Sequence, residues 1–193
     1  MKRIWYFTTV KNMDKIQKNK RAFEYFVHIF CFIVEGVIMG EVYKEAIERL
    51  RKEIKKQLPE IEKNGDWLWN HPETGFKETE TQKYCLEVLR QHGFEAKTWE
   101  DVTGFTCTYD TGKPGPCVMI MGEMDSLICR THPDSDPQTG AAHACGHSVQ
   151  TASAMGAFFA LVESGVLDNF CGKVMLAGVP AEECVETECR SWK

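Results

Sequence analysis

Two short runs, Cys117-Val118-Met119-Ile120-Met121 and Lys173 to Val179, constrain this chain more than any other feature. The first is apolar on both faces, as expected of a strand in the middle of a covered sheet. The second reads as another buried strand and ends in Pro180. Between them, a helix is predicted over about His147 to Glu163. It is full of small residues (Ala152, Ser153, Ala154, Gly156, Ala157) and can lie close against a sheet. Helices alternating with apolar strands predict a layered α/β domain.

The flanking segments fit that plan. Val42, Ala46, Leu50, Ile54, Leu58 and Ile61 recur at three- and four-residue steps, predicting an amphipathic helix from Met39 to about Asn64, bent or broken at Pro59. Trp67 to Phe76 reads as a turn-rich segment. A second helix is predicted from about Glu78 to His92, ended by Gly93. Phe94 to Trp99 and Gly104 to Tyr109 read as short strands, and a loop rich in Pro, Asp and Gly as running from Cys129 to Gly146. The net charge of −5 leaves no basic surface for nucleic acid or an anionic membrane. Nine cysteines, odd in number and scattered, do not form a disulfide framework. They suit a cytoplasmic protein whose thiols, among them Cys31, Cys117 and Cys171, are mostly small core residues.

Residues 1–38 have a different texture, aromatic, basic and aperiodic. Phe23 to Val34 follows Lys15, Lys18, Lys20 and Arg21 and so imitates a signal peptide. Glu24 and His28 interrupt it, no small-residue cleavage site follows, and it is too short to span a bilayer. Residues 1–38 are therefore expected to be a non-native or disordered extension, with Met39 as initiator and 39–193 as the domain. Glu35-Gly36 can be encoded by a purine-rich ribosome-binding sequence, which fits that start.

Three polar groups stand where these elements begin or end. Gly122-Glu123-Met124-Asp125 follows the first strand, His143-Ala144-Cys145-Gly146-His147 leads into the small-residue helix, and Pro180-Ala181-Glu182-Glu183 follows the second strand. Ligands of open α/β sheets bind at the carboxyl ends of strands. Thiolate and imidazole suit zinc and its first-row neighbours, and Gly146 permits the bend that would turn Cys145 and His147 to one point. Taken alone, a Cys-x-His is more often a core thiol beside a helix-capping histidine than a metal site. Of the tandem glutamates, one can ligate a metal while its neighbour takes a proton from an attacking water. His143 could touch substrate or metal, or position the loop by hydrogen bonds; His28, His71, His92 and His132 read as surface or loop residues.

Taken together, these motifs, with His71-Pro72-Glu73-Thr74-Gly75-Phe76 upstream, resemble the M20 metallopeptidase family over about Glu41 to Arg190. The likeness is to its aminoacylase, auxin-conjugate hydrolase and aminobenzoyl-glutamate hydrolase branch. It implies a zinc-peptidase-like α/β fold, a layered sheet with helices on both faces, and a smaller inserted lid domain. It also implies two divalent ions (Zn, Mn or Co), bridged by Cys145, with His147 and Glu183 each ligating one. Glu182 would be the general base and Asp125 would support the site from behind. The implied substrate is a small N-acyl amino acid or peptide-like conjugate, and full-length members can be homodimers. Glu123 stands where other branches place a ligating histidine, and Ser148 where this branch often has Asp or Asn. The family also needs two further histidines, whereas none follows His147. The chain is thus expected to be an N-terminal fragment without the lid, from a truncated or frameshifted gene. Two readings stand: a metal-dependent amidohydrolase, or an inactive fragment with partial metal binding. A structural zinc protein would need a fourth closed ligand.

Overall fold

The computed structural model describes residues 41–185; the expectations for residues 1–38, and for Cys31 among the thiols, lie outside the described residues. Helix α1 (Glu41–Trp69) leads into α2 (Thr79–Gln91) and the strands β1 (Ala96–Thr98), β2 (Phe105–Asp110) and β3 (Cys117–Glu123). A small hairpin, β4 (Leu127–Ile128) with β5 (Ala141–Ala142), precedes α3 (His147–Glu163). A 3₁₀ turn, Val166–Asn169, leads to β6 (Lys173–Val179), and a second, Glu182–Val185, follows it. The main sheet has the order β1-β2-β6-β3 and is open, with helices on both faces. No helix among the described residues is long and apolar enough to cross a membrane.

Helix α1 runs through Pro59 without interruption, so the break that Pro59 could have caused does not occur. A proline removes one backbone donor, leaving the carbonyl four residues earlier unpaired. That carbonyl belongs to Lys55, and Lys55 and Pro59 both lie on the exposed face, where water can take over the bond. The same helix continues five residues past Asn64, into the segment expected to be turn-rich. Its buried stripe is Ile47, Leu50, Ile54, Gln57, Ile61, Asn64 and Leu68, alternating steps of three and four. Two amides therefore sit in a stripe that the apolar pattern assigned to Leu58. Both are used: Gln57 Nε2 donates to Glu163 (3.1 Å), and Asn64 Oδ1 accepts from the Tyr84 hydroxyl (2.7 Å).

The crossover from β3 through α3 to β6 positions everything that follows. β3 and β6 are parallel and in register from Cys117↔Lys173 to Glu123↔Val179, so their carboxyl ends leave the sheet side by side. A chain returning between parallel strands must start its helix at that same end, which places His147 there. α3 lies against β3 at close range: a Cβ on Gly122 would meet Thr151 Cα at 2.9 Å. The small residues of α3 serve this approach, and Ala152, Ala154, Met155, Phe158, Phe159 and Ala160 are all buried.

β3 differs from its expected place. It is paired only with β6 among the described residues and stands at the sheet edge, with Val118 and Met119 about half exposed. Apolar residues on both faces indicate that a strand wants cover; they do not say where in the chain that cover lies. Cys117 and Cys171 are likewise exposed, whereas Cys85 and Cys107 are the buried thiols. The loop from Cys129 also contains strand β5, whose two alanines are too short a run to register as a strand.

His92, expected at the surface, staples three helices. Its Nδ1 meets Glu163 Oε1 at 2.5 Å, its Nε2 meets Glu60 Oε1 at 3.1 Å, and its ring stacks on Phe159 at 3.8 Å. Burial alone would lower its pKa, but the hydrogen bonds to Glu163 and Glu60 outweigh it and raise the value. The stabilisation is fully present below the unfolded value of about 6.5 and is lost as pH rises through the raised folded value. Urea unfolding between about pH 6 and 9 should show wild-type stability falling relative to a Glu60→Gln/Glu163→Gln variant. Parallel curves for the two proteins would show that the staple contributes nothing.

Candidate metal centre

The three polar groups converge at the carboxyl end of β3 and β6. Met124 N–H extends the sheet ladder to Val179 O (2.9 Å), bringing Asp125 in behind the Glu182–Val185 turn. Gly146, with φ of 110°, turns the chain sharply into α3, as its place between Cys145 and His147 led us to expect. Ligand atoms of Cys145, His147 and Glu183 all lie within 4.8 Å of one another. A second group, Glu123, His147 and Glu182, meets the same criterion and shares the histidine.

His147 is held on both sides. Its Nδ1 donates to Asp125 O (2.9 Å) and Oδ1 (3.2 Å), deep in the protein where Asp125 is fully buried. Its Nε2 faces the carboxylates of Glu123 (2.9 Å), Glu182 (3.6 Å) and Glu183 (3.8 Å). An imidazole fixed through Nδ1 by a carboxylate and a carbonyl, with Nε2 aimed at a cluster of acids, has the form of a metal-ligating histidine. The other oxygen of Asp125 accepts the Glu183 N–H at 2.8 Å.

The charge balance points the same way. Burial would depress the His147 pKa, yet its bonds to Asp125 and Glu123 lift it to about 10. The Cys145 thiol is pushed up to about 12, first by burial and then by the neighbouring carboxylates of Glu183, Glu182 and Glu123. Glu182 is raised above the usual carboxylate range by burial and by the Glu123 charge; Glu123 is lowered, chiefly by its bond to His147. The proton on His147 thus offsets the acids where a cation could, and the proton on Cys145 keeps the thiol from adding another negative charge. The donor set of thiol, imidazole and carboxylate fits zinc, manganese or cobalt. Glu183 Oε1 is moreover buried without a hydrogen-bond partner, an oxygen left open for such an ion.

Several residues that sequence reasoning left out shape this site. Glu123 was noted only for the position it occupies; it contacts His147 and is itself gripped by Gln150, which donates to it at 3.0 Å and accepts its N–H at 2.8 Å. Glu73 caps α2 by accepting Thr81 N–H (2.7 Å) and Glu80 N–H (3.1 Å), while its carbonyl accepts both the N–H and hydroxyl of Ser126. Glu78 accepts the Ala181 N–H at 2.9 Å. The sequence signal was their place in and just after the His71–Phe76 motif, but its spacing says nothing of which loops it would brace. His143 is 2% exposed and neither ring nitrogen has a partner, so the hydrogen-bonding role considered for it is not observed. His71 and His132 lie away from the cluster, stacking or edging on Trp67 and Trp69.

No family model matches the chain. Among curated proteins, thermostable carboxypeptidase 1 of Saccharolobus solfataricus is 30% identical over 145 residues, covering 69% of this chain and 36% of that protein. N-acetyl-L-cysteine deacetylase of Bacillus subtilis is 30% identical over 133 residues, covering 67% of this chain and 31% of its own length. A solved chain from methicillin-resistant Staphylococcus aureus aligns with a TM-score of 0.59 at 30% identity, covering 70% of this chain and 36% of that one. The Bacillus subtilis YXEP protein, described as a dinuclear metal binding peptidase from the M20 family, aligns with a TM-score of 0.56 at 26% identity, covering 67% and 36%. The chain spans about a third of the length of the relatives it matches. Sequence and fold together relate this chain to the M20-family peptidases and amidohydrolases.

Proposed function

We propose that this chain carries part of the metal centre of a hydrolase that cleaves the amide bond of N-acyl amino acids and related conjugates. The observation that carries the reading is the convergence of Cys145, His147 and Glu183 with Glu182 beside the same imidazole. Relatives named as carboxypeptidases and as N-acyl deacetylases share one bond type, an amide whose nitrogen belongs to an amino acid. The aminoacylase side of the family is the narrower reading, supported by relatives named N-acyl-L-amino acid amidohydrolase and IAA-amino acid hydrolase.

In this reading Cys145, His147 and Glu183 would hold the metal, and Asp125 keeps the imidazole aimed through its bond to Nδ1. A divalent ion held there would polarise the amide carbonyl and acidify the attacking water. Glu182, half exposed at the rim, takes the proton from that water and returns it to the departing amine. Glu123 faces the same Nε2 of His147 as Glu182 and Glu183 and would add negative charge to the set that holds a cation. The chain spans about a third of its relatives' length, and we expect it to supply a partial shell and to bind metal without turnover.

Three measurements test this. Zinc titration of the chain should show Glu182→Gln near wild-type affinity and Glu183→Gln weakened by more than the ~10–100-fold typical of residues behind a ligand. The opposite ranking would exchange the two roles. Because His147 and Cys145 are both protonated at neutral pH, zinc binding near pH 7 should release about two protons, with affinity rising as pH rises. Calorimetry in buffers of different ionisation enthalpy reads that number, and proton-neutral binding would place the ion elsewhere. Finally, the chain should hydrolyse no N-acyl amino acid under zinc, manganese or cobalt. Chelator-sensitive hydrolysis lost in Glu182→Gln would show that the partial shell is enough.

A further inference from the structure

Only two non-glycine residues among the described ones adopt left-handed backbone, Phe76 (φ 63°) and Ala181 (φ 59°). Such conformations are unfavourable for residues with a Cβ and persist where the surroundings enforce them. Both sit beside one side chain. Glu78 is fully buried; its Oε1 accepts the Ala181 N–H at 2.9 Å, its Oε2 accepts the Thr103 hydroxyl, and the N–H groups of Phe76 and of Glu78 itself also face it. The neighbouring Gly75 approaches Ala181 closely as well: a Cβ on Gly75 would lie 2.9 Å from Ala181 Cα.

A carboxyl in this position is not a gain in stability by itself. Burial pushes Glu78 above the usual carboxylate range, and its hydrogen bonds offset this only in part. Its placement makes sense through what it holds. Ala181 directly precedes Glu182 and Glu183, and its left-handed turn is what redirects the chain from β6 toward His147. Thr103 and the α2 terminus anchor the carboxylate from the other side, so the turn is fixed by elements that touch no ligand.

We propose that Glu78 is a positioning residue for the metal centre, enforcing the left-handed turn at Ala181 that presents Glu182 and Glu183 to His147. The inference rests on the metal-centre reading above and assigns Glu78 no contact with metal or substrate. It makes a specific demand: a residue that adopts left-handed backbone freely at position 181 should make the carboxylate unnecessary.

The test is zinc affinity of the full chain, measured by competition with a chromophoric chelator. Glu78→Gln should weaken binding about 10–100-fold, the range for residues that orient ligands from behind. Adding Ala181→Gly should restore affinity to within about threefold of wild type, since glycine needs no enforcement there. Adding Phe76→Gly instead should restore nothing. If Glu78→Gln does not fold, Thr103→Val, which removes one donor fixing the carboxylate, should give a smaller loss that Ala181→Gly again reverses. Unchanged affinity in Glu78→Gln, or in Thr103→Val where that variant stands in, overturns the proposal. So does a loss that Ala181→Gly fails to reverse, because that would reflect missing charge or general damage. Wild-type protein that binds no zinc would bring down the metal-centre reading and this inference together.

Discussion

The site depends on one buried carboxylate. Asp125 reaches His147 through one oxygen and the Glu183 backbone through the other. The imidazole heads α3 and the glutamate follows β6, so this single side chain joins both arms of the crossover at the point where they must meet. A fully buried acid is costly unless its lone pairs are occupied, and here each oxygen has its donor. Replacing it by an apolar residue would leave the imidazole Nδ1 only the backbone carbonyl of residue 125 and the turn without its anchor. The precision of the cluster therefore comes less from the ligands than from what stands behind them.

The bracing is layered. Behind Asp125, Ser126 is tied to the carbonyl of Glu73, whose own carboxylate caps α2. α2 in turn packs its end against α1 and α3 through His92. The loops that carry Asp125 and the Glu182–Val185 turn are thus fastened to helices and not left to loop flexibility, as a preorganised site requires.

Much of this was legible in the sequence, for identifiable reasons. β6 and α3 appear over the spans expected because apolar runs and small-residue runs report burial directly. Cys145, His147, Glu182, Glu183 and Asp125 were expected together because their motifs stand at the ends of buried elements and because the resemblance to the M20 family implied a role for each. What stayed hidden was non-local. Pro59 could not be recognised as harmless without knowing that its face is solvated. Gln57 and Asn64 look like surface residues until Glu163 and Tyr84 are found opposite them. Glu78 falls at the start of a helix, where an acid is ordinary, and nothing in its spacing points to Ala181 about a hundred residues later. The edge position of β3 likewise depends on which strands are near, something an apolar run cannot encode.

Cys145 and His147 are separated by one glycine, whereas Glu183 lies beyond a helix and a strand. On the metal-centre reading proposed above, two of the three ligands therefore remain close together when the chain is unfolded. An ion can be captured by that pair before the parallel strands align, and the carboxylate arrives only when the crossover closes. Ion capture and site completion are then separate kinetic events. The ion favours the native state only by the extra affinity that the late-arriving glutamate and the aimed imidazole add over what the open chain already offers.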